Sequence, residues 1–191
     1  MIASKIQQLK YIDNLVAACQ KCSLFKTAKN PVPGFGDPSS GIVFIGEAPG
    51  FQEDIQGKPF VGPSGHLLDK LLASINLKRE NVFICNILKH RPPENRDPLP
   101  QEIKVCTPYL KAQLKILQPK IIITLGRFAM NYFFPGEFIS SIRGQVKQIN
   151  WEGLELTIIP VYHPSAALRN GAMLKALQDD FKTIGDFLIF N

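Results

Sequence analysis

The chain has 191 residues, 45% of them hydrophobic and 20% charged, the balance of one compact soluble domain spanning 1–191. No apolar run approaches the ~20 residues that cross a bilayer, so membrane and disordered classes are excluded, and the polar start MIASKIQQLK, with no signal core, leads to the expectation of an intracellular rather than a secreted chain. Twenty-two Lys and Arg against 16 Asp and Glu leave a net charge of +6, which points to a polyanionic partner, and four cysteines in such a chain point to a metal site rather than to disulfides.

The N-terminal stretch is polar and helix-like. Asn30–Gly41 (NPVPGFGDPSSG) is too rich in Pro and Gly for regular structure. Ile42–Ile45 is a short β-branched run and reads as a buried strand. Leu67, Leu68, Leu71, Leu72 and Ile75 then follow Ser64 with helical spacing and predict a helix capped by that serine. Val82–Leu88 is a second strand, and Arg91–Pro100 (RPPENRDPLP) a second loop. Val105, Leu110, Leu114 and Leu117 stripe a helix that ends before Pro119, and Ile121–Leu125 is a third strand. A hairpin is expected between Gln145–Trp151 and Leu154–Val161, turning at Glu152–Gly153, with Pro160 marking an edge strand or a strand end. Met173, Leu174, Leu177, Phe181, Ile184 and Leu188 stripe a C-terminal helix. Strands alternating with helices specify an α/β fold with a mostly parallel sheet of about four strands between helical layers.

Ligands of such sheets bind beyond the carboxyl ends of the strands. The first strand runs into Gly46-Glu47-Ala48-Pro49-Gly50, the second carries Asn86 near its end, and the last runs into His163-Pro164-Ser165. Glu47, Asn86 and His163 are therefore expected on one rim. Taken singly, the glycine segment is a tight turn without the Gly-Lys-Ser/Thr of a phosphate loop, and His163 before Pro164 is an ordinary start of a helix. Phe60, between Gly57 and Gly62, reads either as a core plug or as a stacking platform for a base.

The ordered set GEAPG, GKPFVGPSG, CNILKHRPPENRDP, TLGR and HPSAALRN, with the cysteines, closely resembles the uracil-DNA glycosylase superfamily, specifically its family-four, iron–sulfur-containing branch. The resemblance runs from Cys19 to about Arg169. It implies a single three-layer α/β/α domain that flips uracil out of single- or double-stranded DNA and hydrolyses its N-glycosidic bond, working as a monofunctional enzyme and as a monomer. By similarity Gly46, Phe60, Asn86 and His163 bind the base, and Glu47 and His163 are catalytic. His163 would donate to uracil O2 as charge develops there, and Glu47 would position water or offset sugar charge. Asp54 is either a second carboxylate or a solvated loop charge, and His66 is expected to be structural. Ser165, Ala167, Leu168 and Arg169 lie in the loop that enters DNA, with the wedge position falling on Ala167. Lys89, Arg91 and Arg169 are expected at DNA phosphates. Because RPPENRDPLP carries no inserted basic loop, hydrolysis rather than a covalent adduct is expected. A non-catalytic iron–sulfur protein binding DNA with the same fold is the other reading.

Cys19-x-x-Cys22 is a metal signal that a redox dithiol shares. The resemblance implies a 4Fe-4S cluster whose third ligand is the cysteine of a K-C-R-P-P stretch, and this chain reads Lys89-His90-Arg91-Pro92-Pro93. The expected ligands are Cys19, Cys22, His90 and Cys106. The other possibility puts Cys85 in place of His90. Alternation along the strand sets Cys85 on the face opposite Asn86, where a free cysteine fills core space.

Overall fold

A computed structural model describes residues 2–190. Its centre is a sheet in the order β1-β3-β2-β4-β6-β5, made of β1 (Phe35–Gly36), β2 (Ile42–Gly46), β3 (Phe83–Asn86), β4 (Ile121–Leu125), β5 (Lys147–Trp151) and β6 (Leu154–Val161). β3, β2, β4 and β6 run parallel, while β1 and β5 close the two edges antiparallel. The expected four parallel strands are thus present, but the sheet has six. The two-residue β1 lies inside the Pro- and Gly-rich loop, where no periodicity betrays it.

Every side chain of β3 and β4 is buried, as a sheet covered on both faces requires. Alternation divides their neighbours between two cores. Val43, Ile45, Phe83 and Cys85 pack beneath α1 (Ile2–Ala17) and α4 (Pro100–Leu117). Phe44, Ile84 and Ile123 pack against α3 (Pro63–Ser74) and α8 (Gly171–Phe190). Between these lie the shorter helices α2 (Phe51–Gln56), α5 (Arg127–Phe133), α6 (Ile139–Ile142) and α7 (Pro164–Ala167).

Several local expectations change in detail. The N-cap of α3 is Gly62, with Pro63 as first helical residue, so Ser64 lies inside the helix. The hairpin turns at Glu152 and Gly153, both with positive φ (52° and 80°), the geometry that matches the twist of its strands. β6 is an interior strand, not an edge. Pro160 does mark the strand end, one residue before it, and is tolerated because β5 reaches only as far as Ile158; beyond it the Gly144 N–H donates to the proline carbonyl and no ladder bond on that side needs a proline N–H.

The chain passes from β2 to β3 on one side, then returns to β4 on the other. Strand order reverses at β2, and the carboxyl ends around it form the crevice expected of such sheets.

Candidate active site and metal centre

Three strands, β2, β3 and β6, lead residues into this crevice. Gly46 ends β2 opposite Asn86 at the end of β3, and the two are register partners. The pairing explains the glycine: a Cβ at position 46 would overlap Asn86 Oδ1 and stand 2.7 Å from the Phe60 ring. Asn86 is 1% exposed, and its Oδ1 is buried with no hydrogen-bond partner. Buried polar atoms are nearly always paired, so this oxygen faces a place where a donor belongs. The Phe60 ring lies 5.7 Å from the His163 ring, at 33°. Glycine, amide, aromatic ring and imidazole thus bound one slot, within a cleft of about 730 Å³ that Glu47 and Leu168 also line.

His163 caps α7. The Ser165 backbone N–H donates to its Nδ1 at 3.1 Å, and Ser165 Oγ lies 2.7 Å from the same nitrogen. Nδ1 is therefore an acceptor, and the neutral ring carries its proton on Nε2. Burial pushes the imidazole down to about 4, so the ring is neutral through the physiological range. Glu47 follows β2 and is half-buried. Burial, with Asp97 adding, pushes its carboxyl up to about 7, while Arg127 opposes the shift. Asp97 and Arg127 are themselves an ion pair.

Glu53 went unnoticed in the sequence. It is buried, and one carboxylate oxygen accepts from the Val61 and Gly62 N–H groups, both at 2.9 Å, fixing the segment that follows Phe60. Its only signal is its place six residues after Glu47. Asp54 is neither a catalytic carboxylate nor a solvated charge. It is 5% exposed and accepts from the N–H groups of Lys29 (2.8 Å) and Asn30 (3.1 Å), tying that loop to α2.

Two expectations need correction. Lys89 is 1% exposed, and its Nζ donates to Asn86 O, Pro33 O and Gln113 Oε1, so it reaches no phosphate. Ala167 is 2% exposed and belongs to the core beside α8, whereas Leu168 is 51% exposed; a side chain already packed in the core does not wedge into DNA. His66 is exposed on α3 and is not among the residues that line the cleft. Ser165 and Arg169 are exposed and line the cleft.

The cysteines divide three to one. Cys19 and Cys22 lie between α1 and the 3₁₀ turn Ser23–Lys26, and Cys106 lies on α4. Burial pushes the Cys106 thiol up to about 11, with Cys22 and Cys19 adding to it, and the Cys22 thiol is raised by burial and by Cys19. Cys85 is fully buried in the sheet, and Lys89 is the charge that acts on it. The Lys89 N–H donates to Cys106 Sγ at 3.3 Å, which brings the chain at His90 against Cys106. The His90 imidazole is buried and lowered by that burial, and it senses the Asp54 carboxylate. Among the described residues no three His, Cys, Asp or Glu side chains converge on one metal ion. A cluster is bulkier than an ion and holds its ligands further apart. Cys19 and Cys22 both act on the Cys106 thiol, and His90 follows the Lys89 N–H that bonds the Cys106 sulfur, so these four are the donors an iron–sulfur cluster here would use.

The uracil-DNA glycosylase superfamily model matches residues 33–184, which include every residue of the slot. The chain belongs to the uracil-DNA glycosylase superfamily. A type-4 uracil-DNA glycosylase of Archaeoglobus fulgidus is 45% identical over 186 residues, covering 95% of this chain and 94% of its own length. Type-4 uracil-DNA glycosylases of Saccharolobus solfataricus and Sulfurisphaera tokodaii are 47% and 45% identical, covering 96% of this chain and 88% and 86% of their own. In this member of the superfamily, no helix among the described residues is long and apolar enough to cross a membrane.

Proposed function

We propose that the slot holds a uracil flipped out of DNA, and that the chain hydrolyses the bond between that base and its sugar. Asn86 carries the reading: its unpartnered, buried Oδ1 beside the Phe60 ring is the acceptor that uracil N3–H supplies a donor for. The amide's NH₂ can meanwhile donate to the neighbouring carbonyl of the base. Cytosine reverses both roles and leaves the amide mismatched, a cost of about 1–3 kcal/mol for each unmade bond. Phe60 stacks on the base, and Gly46 leaves room for it.

His163 donates from Nε2 to uracil O2, where charge accumulates as the glycosidic bond breaks. A neutral donor suffices, and the low imidazole value keeps it neutral. Glu47 holds the attacking water and, once ionised, stabilises the positive sugar; a carboxyl near 7 is half ionised at neutral pH. Leu168 enters the gap left by the base, flanked by Ser165 and Arg169. Cys19, Cys22, His90 and Cys106 would hold a 4Fe-4S cluster, which ties α1 and α4 to the segment that leads from Asn86. The whole chain acts as a single domain and a monomer, on single-stranded as well as duplex DNA, inside the cell.

The test is excision from oligonucleotides carrying uracil, hypoxanthine or thymine at one position. Uracil is expected to be released to leave an abasic site, and Asn86→Ala to lose rate and discrimination. Purified protein that binds such DNA but leaves uracil in place would overturn the proposal.

A further inference from the structure

α2 is an inverted amphipathic helix. Its carboxylates point inward, Glu53 at 9% and Asp54 at 5% exposure, while Phe51 and Ile55, one turn apart, face outward at 54% and 40%. A short surface helix ordinarily buries the apolar pair and exposes the acids. Here the acids are held inside by backbone N–H groups of Lys29, Asn30, Val61 and Gly62. Those bonds set the helix rotation that keeps the two apolar side chains in solvent.

The outward face is continuous with the cleft, since Phe51 lines it together with Pro92, Asn95 and Arg169. The Arg91 guanidinium lies over the Phe51 ring, 5.1 Å from its centroid. Arg91 is fixed in turn by the bond from its Nε to Asn95 Oδ1 at 2.7 Å. One ring face is therefore covered by a cation, and a side chain still 54% exposed offers its other face to the cleft. A rigid aromatic face backed by a guanidinium, in a cleft that Arg96 and Arg169 also line, suits a nucleic-acid base. Every base has a π-face, so such a contact is indifferent to sequence.

We propose that Phe51, backed by Arg91, is the stacking surface for the base next to the flipped uracil. This rests on the reading of the cleft as a uracil site and adds a second base subsite outside the slot. Its consequence is an affinity for single-stranded DNA that does not depend on the partner strand.

The test uses single-stranded oligonucleotides with a non-cleavable, sugar-fluorinated uridine and a fluorescent aminopurine on either side of it. With wild-type protein the aminopurine signal is expected to change at one of the two positions on binding. Phe51→Ala is expected to abolish that change and to weaken binding about tenfold. Replacing the adjacent base by an abasic spacer should remove the difference between wild type and variant. Ile55→Ala, on the same helix face, should retain the signal, which separates stacking from a general apolar docking patch. An aminopurine response that persists in Phe51→Ala, or is absent from wild type that still excises uracil, would overturn the proposal. Wild-type protein that excises no uracil would overturn the underlying reading, and the proposal with it.

Discussion

Arg79 Nη2 donates to the Phe60 carbonyl oxygen at 2.5 Å, while its Nε binds Asp69 Oδ1 at 2.9 Å. Phe60 has φ of 52°, in the left-handed region that a bulky residue rarely enters and that costs about 1–3 kcal/mol. Gly65 leaves room for that carbonyl, because a Cβ there would overlap it. An arginine remote from the slot thus helps to hold the ring that faces the base. Arg79→Met is expected to lower single-turnover excision and free-uracil affinity about tenfold, the equivalent of one charge-assisted bond. In a Phe60→Ala background the same change should have no further effect on uracil affinity. Fully additive losses in this double-mutant cycle would show that Arg79 acts elsewhere.

Excision should rise with pH through about 7, where Glu47 ionises, and then level off. His163 ionises only near 4 and should give no limb in that range. Glu47→Gln is expected to flatten the profile and to lower the rate by about 10²–10⁴. Stability moves the opposite way. A carboxyl raised in the fold is harmless below its ordinary range near 4.5 and increasingly unfavourable as pH climbs to about 7. Thermal melts should therefore show Glu47→Gln stabilised at pH 8, with the gain shrinking toward pH 5.

Lys89 and Arg169 should separate structure from DNA binding. Lys89→Met removes the donor from acceptors at Asn86, Pro33 and Gln113, an expected cost of about 1–3 kcal/mol or more by denaturant unfolding. It should leave the salt dependence of DNA binding unchanged. Arg169→Ala should reduce the magnitude of that slope by about one and barely alter stability.

Leu168→Ala should impair uracil excision from duplex DNA several-fold more than from single strands, because only the duplex leaves a gap for a wedge to fill. Equal losses on both substrates, measured as single-turnover rates, would remove Leu168 from that role.

The fourth cluster ligand can be read from bound iron and visible absorbance. Cys106→Ala and His90→Ala are expected to lose both, while Cys85→Ala, which empties a site in the sheet core, should keep them. The reverse pattern at positions 85 and 90 would exchange their roles.

The strands and the long helices were legible because burial imposes a period, and β4 with α4 and α8 shows it clearly. Two strand ends were legible for the same reason, since Glu47 and His163 stand where an apolar run stops; the run Val82–Leu88 continues past Asn86, and only the structure ends β3 at that residue. β1 was not legible, since two residues carry no period. Nor was the cap of α3, where Gly62 and Pro63 did what Ser64 was expected to do.

The excess of basic residues and the four cysteines were fixed by composition, and neither stated where its members go. Sequence by itself determined the α/β alternation, the order of the motifs around the rim and the family to which they belong. Tertiary structure alone decided that Lys89 is a buried strut, that Ala167 packs inward while Leu168 faces out, and that α2 turns its acids in and Phe51 out. In each case the deciding partners are distant in sequence. Which way a side chain faces depends on partners far along the chain: the Pro33 carbonyl and the Gln113 side chain accept from Lys89, the Lys29 and Val61 N–H groups donate to the acids of α2, and the helix α8 core covers Ala167. No local pattern encodes partners that only folding brings together.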